Sequence, residues 1–346
     1  MKGKRWLYLA GVVASLVALL AVGCAKAPST EVVEWSLHQN TPYHPGLYTT
    51  DVNAKFAELC ESHTNGRLKV NIYFPGDIYP SYHDMAVAVA AGEADLTYCP
   101  QTTYESLGVP EVAICSVPYA GSTYEEMVEH QTQWYSQGAS GEKIQKLLEA
   151  KGVKFLGISP MAPVIFLANT KAVTEEDWSK LRLRAPSMDI YVLMVEAIGA
   201  NAVPLPYSEV VMALKTGVID GYLTDQVAYA SDRMWEPGAD HFPTNLIFMA
   251  SAYCLFGSQK SWDNLPSDIK QIMTDKIIPE WHAYALVRNA EEIDATWEAM
   301  EGKETLYELP ASRLAECNAN LVETLHPKYQ ELDPELYAAL KAIAGF

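Results

Sequence analysis

Two arginines alternate with leucines in Leu181-Arg182-Leu183-Arg184-Ala185. In an extended strand, a period of two puts both guanidinium groups on one face and both leucines on the other. A guanidinium presents two parallel donors that match a carboxylate, and the match strengthens where water is excluded. Arg184, at the strand end, is therefore the leading candidate for holding an organic acid. Arg182, one step further back, is expected to stay solvated. The plain alternative for Arg184 is an ion pair with an acid from elsewhere in the chain. Gln39 and Asn40 end the first expected strand, Tyr98 and Gln101 end the third, and Tyr222 and Asp225 lie where a later strand runs out. Small-ligand clefts combine aromatic walls with a few placed polar groups, so these residues are lining candidates. With twenty tyrosines in the chain, each could equally belong to core or surface.

Other chemistries lack their residues. No GxGxxG follows a strand, and there is no GxxxxGK[ST], HExxH or GxSxG. His38 and His44, six apart in one loop, make a poor metal signature, and no metal or cofactor is expected. Asp220 and Asp225 flank a strand and could serve as an acid–base pair, but turns of this kind carry Asp routinely.

The elements that must position these side chains follow an α/β order. Val32 to Leu37 reads as a strand, 47–63 as a helix by its apolar spacing, 68–74 as an alternating strand and Tyr82 to Ala91 as a helix. A third strand, 94–98, completes the first unit. Strand–helix–strand order implies a parallel sheet with right-handed crossovers. A second unit repeats the logic with strands at 153–158, 164–169 and 181–185, a helix over 189–198 with Ser187 as its N-cap, a further helix from Ser208 to Gly217 and a strand at 218–223. The chain returns through the apolar stretch 247–256. One long helix or two abutting ones cover 267–300, and helical segments fill 311–344. In open α/β sheets, ligands bind outside the carboxyl ends of the strands. That points to 38–44, 98–104, 184–191 and 222–229.

Residues 1–5 carry Lys2, Lys4 and Arg5, and an apolar run of 17 residues, 6–22, leads to Gly23-Cys24. Positive charge, a short apolar core and small residues make an export signal, expected to be removed after residue 23. The small residues before Cys24 resemble a bacterial lipobox, so Cys24 is expected to be lipidated, with 24–31 as a tether. A permanent membrane anchor is the alternative, though the run is at the short limit for one. Loss of the three positive charges would take the formal charge from −18 to −21. Such a chain does not favour nucleic acid or anionic lipid. Five cysteines then remain, with no CxxC pair. A dense disulfide scaffold is excluded, while one or two bridges are allowed in an oxidising compartment. The remaining length, about 310 residues, favours two domains.

From Leu181-Arg182-Leu183-Arg184-Ala185-Pro186 onward the chain resembles a known family. Gly199 to Val210 (GANAVPLPYSEV) and Ala213 to Gly221 (ALKTGVIDG) continue the likeness. Gly66-Arg67-Leu68-Lys69-Val70, Phe74-Pro75-Gly76, 89–96, Val117-Pro118-Tyr119 and 258–266 extend it in order over about 32–300. The set is similar to the substrate-binding proteins of tripartite ATP-independent periplasmic (TRAP) transporters, in the dicarboxylate- and sialic-acid-binding branch. The resemblance implies a two-lobed α/β receptor of the periplasmic-binding type, with a cleft between the lobes and a long connecting helix. It also implies a small organic acid as ligand, TRAP permease subunits as partners and Arg184 as the carboxylate anchor. Tyr207 falls on an aromatic that packs on the ligand. Two departures stand out. Thr224 replaces a ligand-contacting Asn, and Val164 or Ile165 stands where some members carry a second Arg. A single anchor implies a monocarboxylate with an apolar or aromatic body. Lobe I is expected over 32–160 and 250–290, and lobe II over 161–249 and 291–346. A sensor lipoprotein presenting ligand to a membrane partner, an exported enzyme and a purely structural lipoprotein are the rival functions.

Overall fold

The computed structural model describes residues 32–39, 41, 46–74, 77–186, 189–231 and 233–346. Cys24, Asn40, Ser187 and the expected signal and tether lie outside the described residues. Among those described, no helix is long and apolar enough to cross a membrane.

Strand β1 (Val33–Gln39) lies parallel between β2 (Leu68–Tyr73) and β3 (Leu96–Pro100). Helices Tyr48–His63 and Tyr82–Ala91 make the crossovers. Local signals set their ends. The Ser81 side chain accepts from the Asp84 amide at 3.2 Å, and Gly92 closes the second helix in the left-handed region (φ 73°).

Strand β4 (Val153–Ala168) is the spine. Its first half pairs antiparallel with β9 (Ala250–Ser258), which in turn pairs with β3. Its second half pairs with β7 (Gly221–Asp225), beside which lie the parallel strands β5 (Arg182–Ala185) and β6 (Asn201–Pro204). One strand therefore runs through both sheets. The expected break between 158 and 164 is not a loop. It is a register shift between Pro160 and Pro163, two residues with no N–H to offer a ladder. Short strands β8 (His241–Pro243) and β10 (Thr305–Tyr307) attach at the far end of β4.

Close approach fixes one glycine. A Cβ on Gly221 would lie 2.0 Å from the Leu167 carbonyl oxygen, so only glycine lets β7 start against β4.

The long helical run is Ser267–Ile272, a π-helical turn Met273–Ile277 and Ile278–Met300, with Pro279 in the opening turn of the last. It packs on helix Tyr48–His63, on β4 and on helix Gln226–Ser231, joining both sheets. Trp281 anchors it, fully buried, its indole N–H donating to the Val52 carbonyl at 3.0 Å. Helix Ala311–Leu332 packs on helix Asp189–Ala197, and helix Pro334–Ala344 packs on Tyr124–Ser136 and Gly138–Glu149. All five described cysteines are buried and free, including Cys99 and Cys254, which face each other across β3 and β9.

Candidate functional site

The alternation at 181–185 folds as its pattern requires. Leu181 and Leu183 are buried on one face of β5. On the other face the two arginines differ. Arg182 is nearly half exposed and forms a two-pronged pair with Asp220, with both contacts at 2.8 Å. That pair holds the Asp220 carboxyl below its usual range and uses Asp220 structurally rather than as an acid–base partner.

Arg184 is only 5% exposed. Its Nε donates to the Leu205 carbonyl at 2.9 Å and its Nη1 to the Leu223 carbonyl at 3.4 Å. The ring of Tyr207 lies beneath the guanidinium, 5.5 Å from centroid to Cζ. Among the described residues no carboxylate lies within ion-pair distance of it. Burial lowers its pKa to about 10, opposed by the phenols of Tyr207, Tyr222 and Tyr191. A desolvated cation held by carbonyls and aromatics, with no internal counter-charge, is a site for an external anion.

Around this anchor the structure gathers residues from both sheets. Asp225 ends β7, and its Oδ1 accepts from the Ala228 amide at 2.8 Å. The phenols of Tyr82, Tyr253, Tyr124 and Tyr191 are all raised, first by burial, and each also feels the Asp225 charge. Tyr82 and Tyr253 belong to the first unit and share a hydroxyl contact of 3.1 Å. Asp225, Arg184 and Tyr191 belong to the second. Tyrosines from both units thus lie within electrostatic reach of Asp225. Thr224 is half-buried next to Asp225, and Tyr207 is 38% exposed at the rim.

Other expected lining residues are placed differently. Gln39 is fully buried, with Nε2 donating to the Thr41 carbonyl at 3.1 Å and Oε1 receiving the Asn53 amide. Tyr98 lies in the core of the first unit, bonded to Ser159 at 2.5 Å and packed edge-on against Trp281. Gln101 donates to Ser116 at 2.5 Å from a buried position. Tyr222 is fully buried beside Arg184 in the strand ladder. Gln39 and Tyr98 thus point into the first unit, whereas Tyr222 pairs in register with Arg184 and shares its face of the sheet. Sequence reasoning did not single out Tyr82, Tyr124 and Tyr191, which lie in the first turns of helices, or Tyr253, on β9. No local pattern marks them. Among the described residues no group of three His, Cys, Asp or Glu side chains could hold a metal ion.

Two units joined by a shared strand and a long helix, with a buried arginine that pairs with no carboxylate among the described residues, have the architecture of a two-lobed solute receptor. The family model of the bacterial extracellular solute-binding proteins, family 7, matches residues 39–332, and the chain belongs to that family. It is 28% identical over 291 residues to the C4-dicarboxylate-binding periplasmic protein DctP of Rhodobacter capsulatus, across 84% of this chain and 85% of that protein. Solved TRAP periplasmic solute-binding proteins share the fold. One from Desulfovibrio salexigens with bound orotic acid has TM-score 0.76 and 20% identity over 90% of this chain and 98% of that one. One from Shewanella oneidensis with bound succinate has TM-score 0.76 and 19% identity over 90% and 99%. The protein is an extracytoplasmic solute-binding protein of that family.

Proposed function

We propose that this receptor captures a small monocarboxylate with an apolar or aromatic body, through Arg184, and delivers it to its permease. The observation that carries the reading is the buried Arg184 guanidinium, seated over Tyr207 and facing no carboxylate of its own chain among the described residues. The structural relatives' ligands, orotic acid and succinate among them, share a carboxylate. Val164 and Ile165, where a second Arg stands in some members, are buried and apolar, which supports a single anchor. Thr224 offers a hydroxyl where a larger amide would reach further. Lobe I over 32–160 and about 250–290, and lobe II over 161–249 and about 291–346, are the bodies that close on the ligand by hinge motion. Cys24 carries the lipid that tethers the receptor outside the cytoplasmic membrane.

Calorimetry against mono- and dicarboxylates tests the assignment. Arg184→Ala removes the charged hydrogen-bonded anchor and is expected to weaken binding by 2 kcal/mol or more, about thirtyfold, with an unchanged fold. Unchanged affinity in the variant overturns the site. A hit confined to dicarboxylates overturns the monocarboxylate reading.

A further inference from the structure

Beside Pro160 and Pro163 lies a cavity of about 680 Å³, a volume ordinary for a small-ligand site. Neither Arg184 nor Tyr207 lines it. Its walls are helix Tyr124–Ser136, β4 at the two prolines and one face of the long helix Ile278–Met300, with Gln226 following β7 and Ile247 preceding β9. The core face of the long helix carries Trp281, Ala285, Asn289, Thr296 and Met300. Leu286, Ala290, Ile293 and Trp297 form a second stripe at helical spacing, which lines the cavity and stays partly exposed. A hydrogen bond joins the two helical walls: the Tyr124 hydroxyl donates to Asn289 Oδ1 at 2.7 Å. Asn289 is 3% exposed, and the Nδ2 of the same amide has no hydrogen-bond partner among the described residues. A buried donor left without an acceptor is costly. The lining carboxylates, Glu125, Glu129 and Asp294, form no ion pair among the described residues, and no Lys or Arg among them lines the cavity. Glu129 accepts from Gln133 Nε2 at 2.9 Å, which leaves its charge in place. His282 donates through Nδ1 to the Ile158 carbonyl at 2.7 Å, so Nε2 of the neutral ring is an acceptor.

We propose that this cavity is a second binding site, for a small organic cation: a protonated amine with an apolar body and a hydroxyl or carbonyl oxygen at its far end. Three carboxylates and the imidazole acceptor attract the ammonium, and an anion meets like charges there. Val128 on one wall and the stripe Leu286, Ile293 and Trp297 on the other cover the body. The rings of Tyr124 and Trp297 add faces that favour a cation. The far oxygen accepts from Asn289 Nδ2 and ends its isolation. The site does not rest on the carboxylate reading of Arg184, which lies outside this cavity.

Matched probes test the assignment by calorimetry on the full-length receptor. Tyramine is compared with 4-propylphenol, where a methyl replaces the ammonium, and with phenethylamine, which lacks the hydroxyl. 5-Aminopentan-1-ol is compared in the same way with hexan-1-ol and pentylamine. In at least one scaffold the amino alcohol or aminophenol is expected to bind about tenfold tighter than its methyl counterpart, and tighter than the amine without oxygen. The charge preference should shrink in concentrated NaCl, because the carboxylates at the cavity are exposed. Glu129→Gln combined with Asp294→Asn should remove most of it. Ala290→Arg, at an exposed position on the cavity wall, adds bulk and a like charge and should abolish binding of the cation with Tm unchanged. Arg184→Ala should leave it intact. The proposal is overturned if neither complete probe binds at about 10 mM, or if in both scaffolds a counterpart binds as tightly. It is equally overturned if the paired variant or Ala290→Arg binds as wild type does, or if Arg184→Ala abolishes cation binding and so places the probe in the carboxylate site.

Discussion

Replacing Glu105 with Gln should make the protein more stable at pH 8 and leave it nearly unchanged near pH 4.5. Burial raises the Glu105 carboxyl from its ordinary 4.5 to about 7. The folded chain therefore holds a proton over that interval that the unfolded chain has already lost. Stability contributed by this group is full below pH 4.5 and is lost as pH rises towards 7. At 1.36 kcal/mol per pH unit, the interval sets a ceiling of about 3 kcal/mol. Glu105 is only partly buried as a residue, and water screens the charge. About 1–2 kcal/mol is the expected effect. For a chain of this size that raises Tm by roughly 2–4 °C. The assay is the Tm difference between variant and wild type from pH 4.5 to 8.5. Titration of His38, His326 and the surface carboxylates is common to both proteins and cancels. A difference that stays flat with pH, or a variant that is less stable at pH 8, refutes the claim that Glu105 Oε1 is shielded with no hydrogen-bond partner among the described residues.

Other outcomes follow from single contacts. Arg184→Lys keeps the charge but loses the fork and the Nε bond to Leu205, so affinity should fall at least about tenfold by calorimetry. Tyr207→Ala removes the ring beneath the guanidinium and should weaken binding by about 0.5–2 kcal/mol, while Tyr207→Phe keeps most of it. Gly221→Ala drives a methyl against the Leu167 carbonyl and should cost about 2–4 kcal/mol in urea unfolding. A thiol reagent should find five groups after denaturation and almost none before it, and a count of three would reveal a bridge between Cys99 and Cys254.

The parts of the fold written in local pattern were legible. The helix at 82–91 has its Ser cap and Gly stop, and the strand at 182–185 has its alternation. The crossing of β4 between sheets was not, because Pro160 and Pro163 look like a loop and only non-local pairing keeps the strand continuous. The π-helical turn at Met273–Ile277 was equally hidden, since it leaves no signature in apolar spacing. Arg184 was readable because charge at a strand end is rare and directional. Tyr98 and Gln39 were placed at the right ends of the right strands, yet which face of a sheet becomes core is settled by the helices that cover it. Glu105 could not be read at all. Its meaning lies in the lack of a partner, and only packing shows that.

The two prolines in β4 give the receptor a particular mechanical character. Bending a strand in mid-sheet ordinarily tears the amide ladder on both sides. At Pro160 and Pro163 there are no amide hydrogens to tear, so flexure there spends little of the energy gained from ligand capture. The ladder runs on either side, from Val153 to Ser159 with β9, with a register shift at Phe155–Gly157, and from Val164 to Ala168 with β7. The molecule is built like two stiff plates stitched along one thread, with the slack left at the stitch.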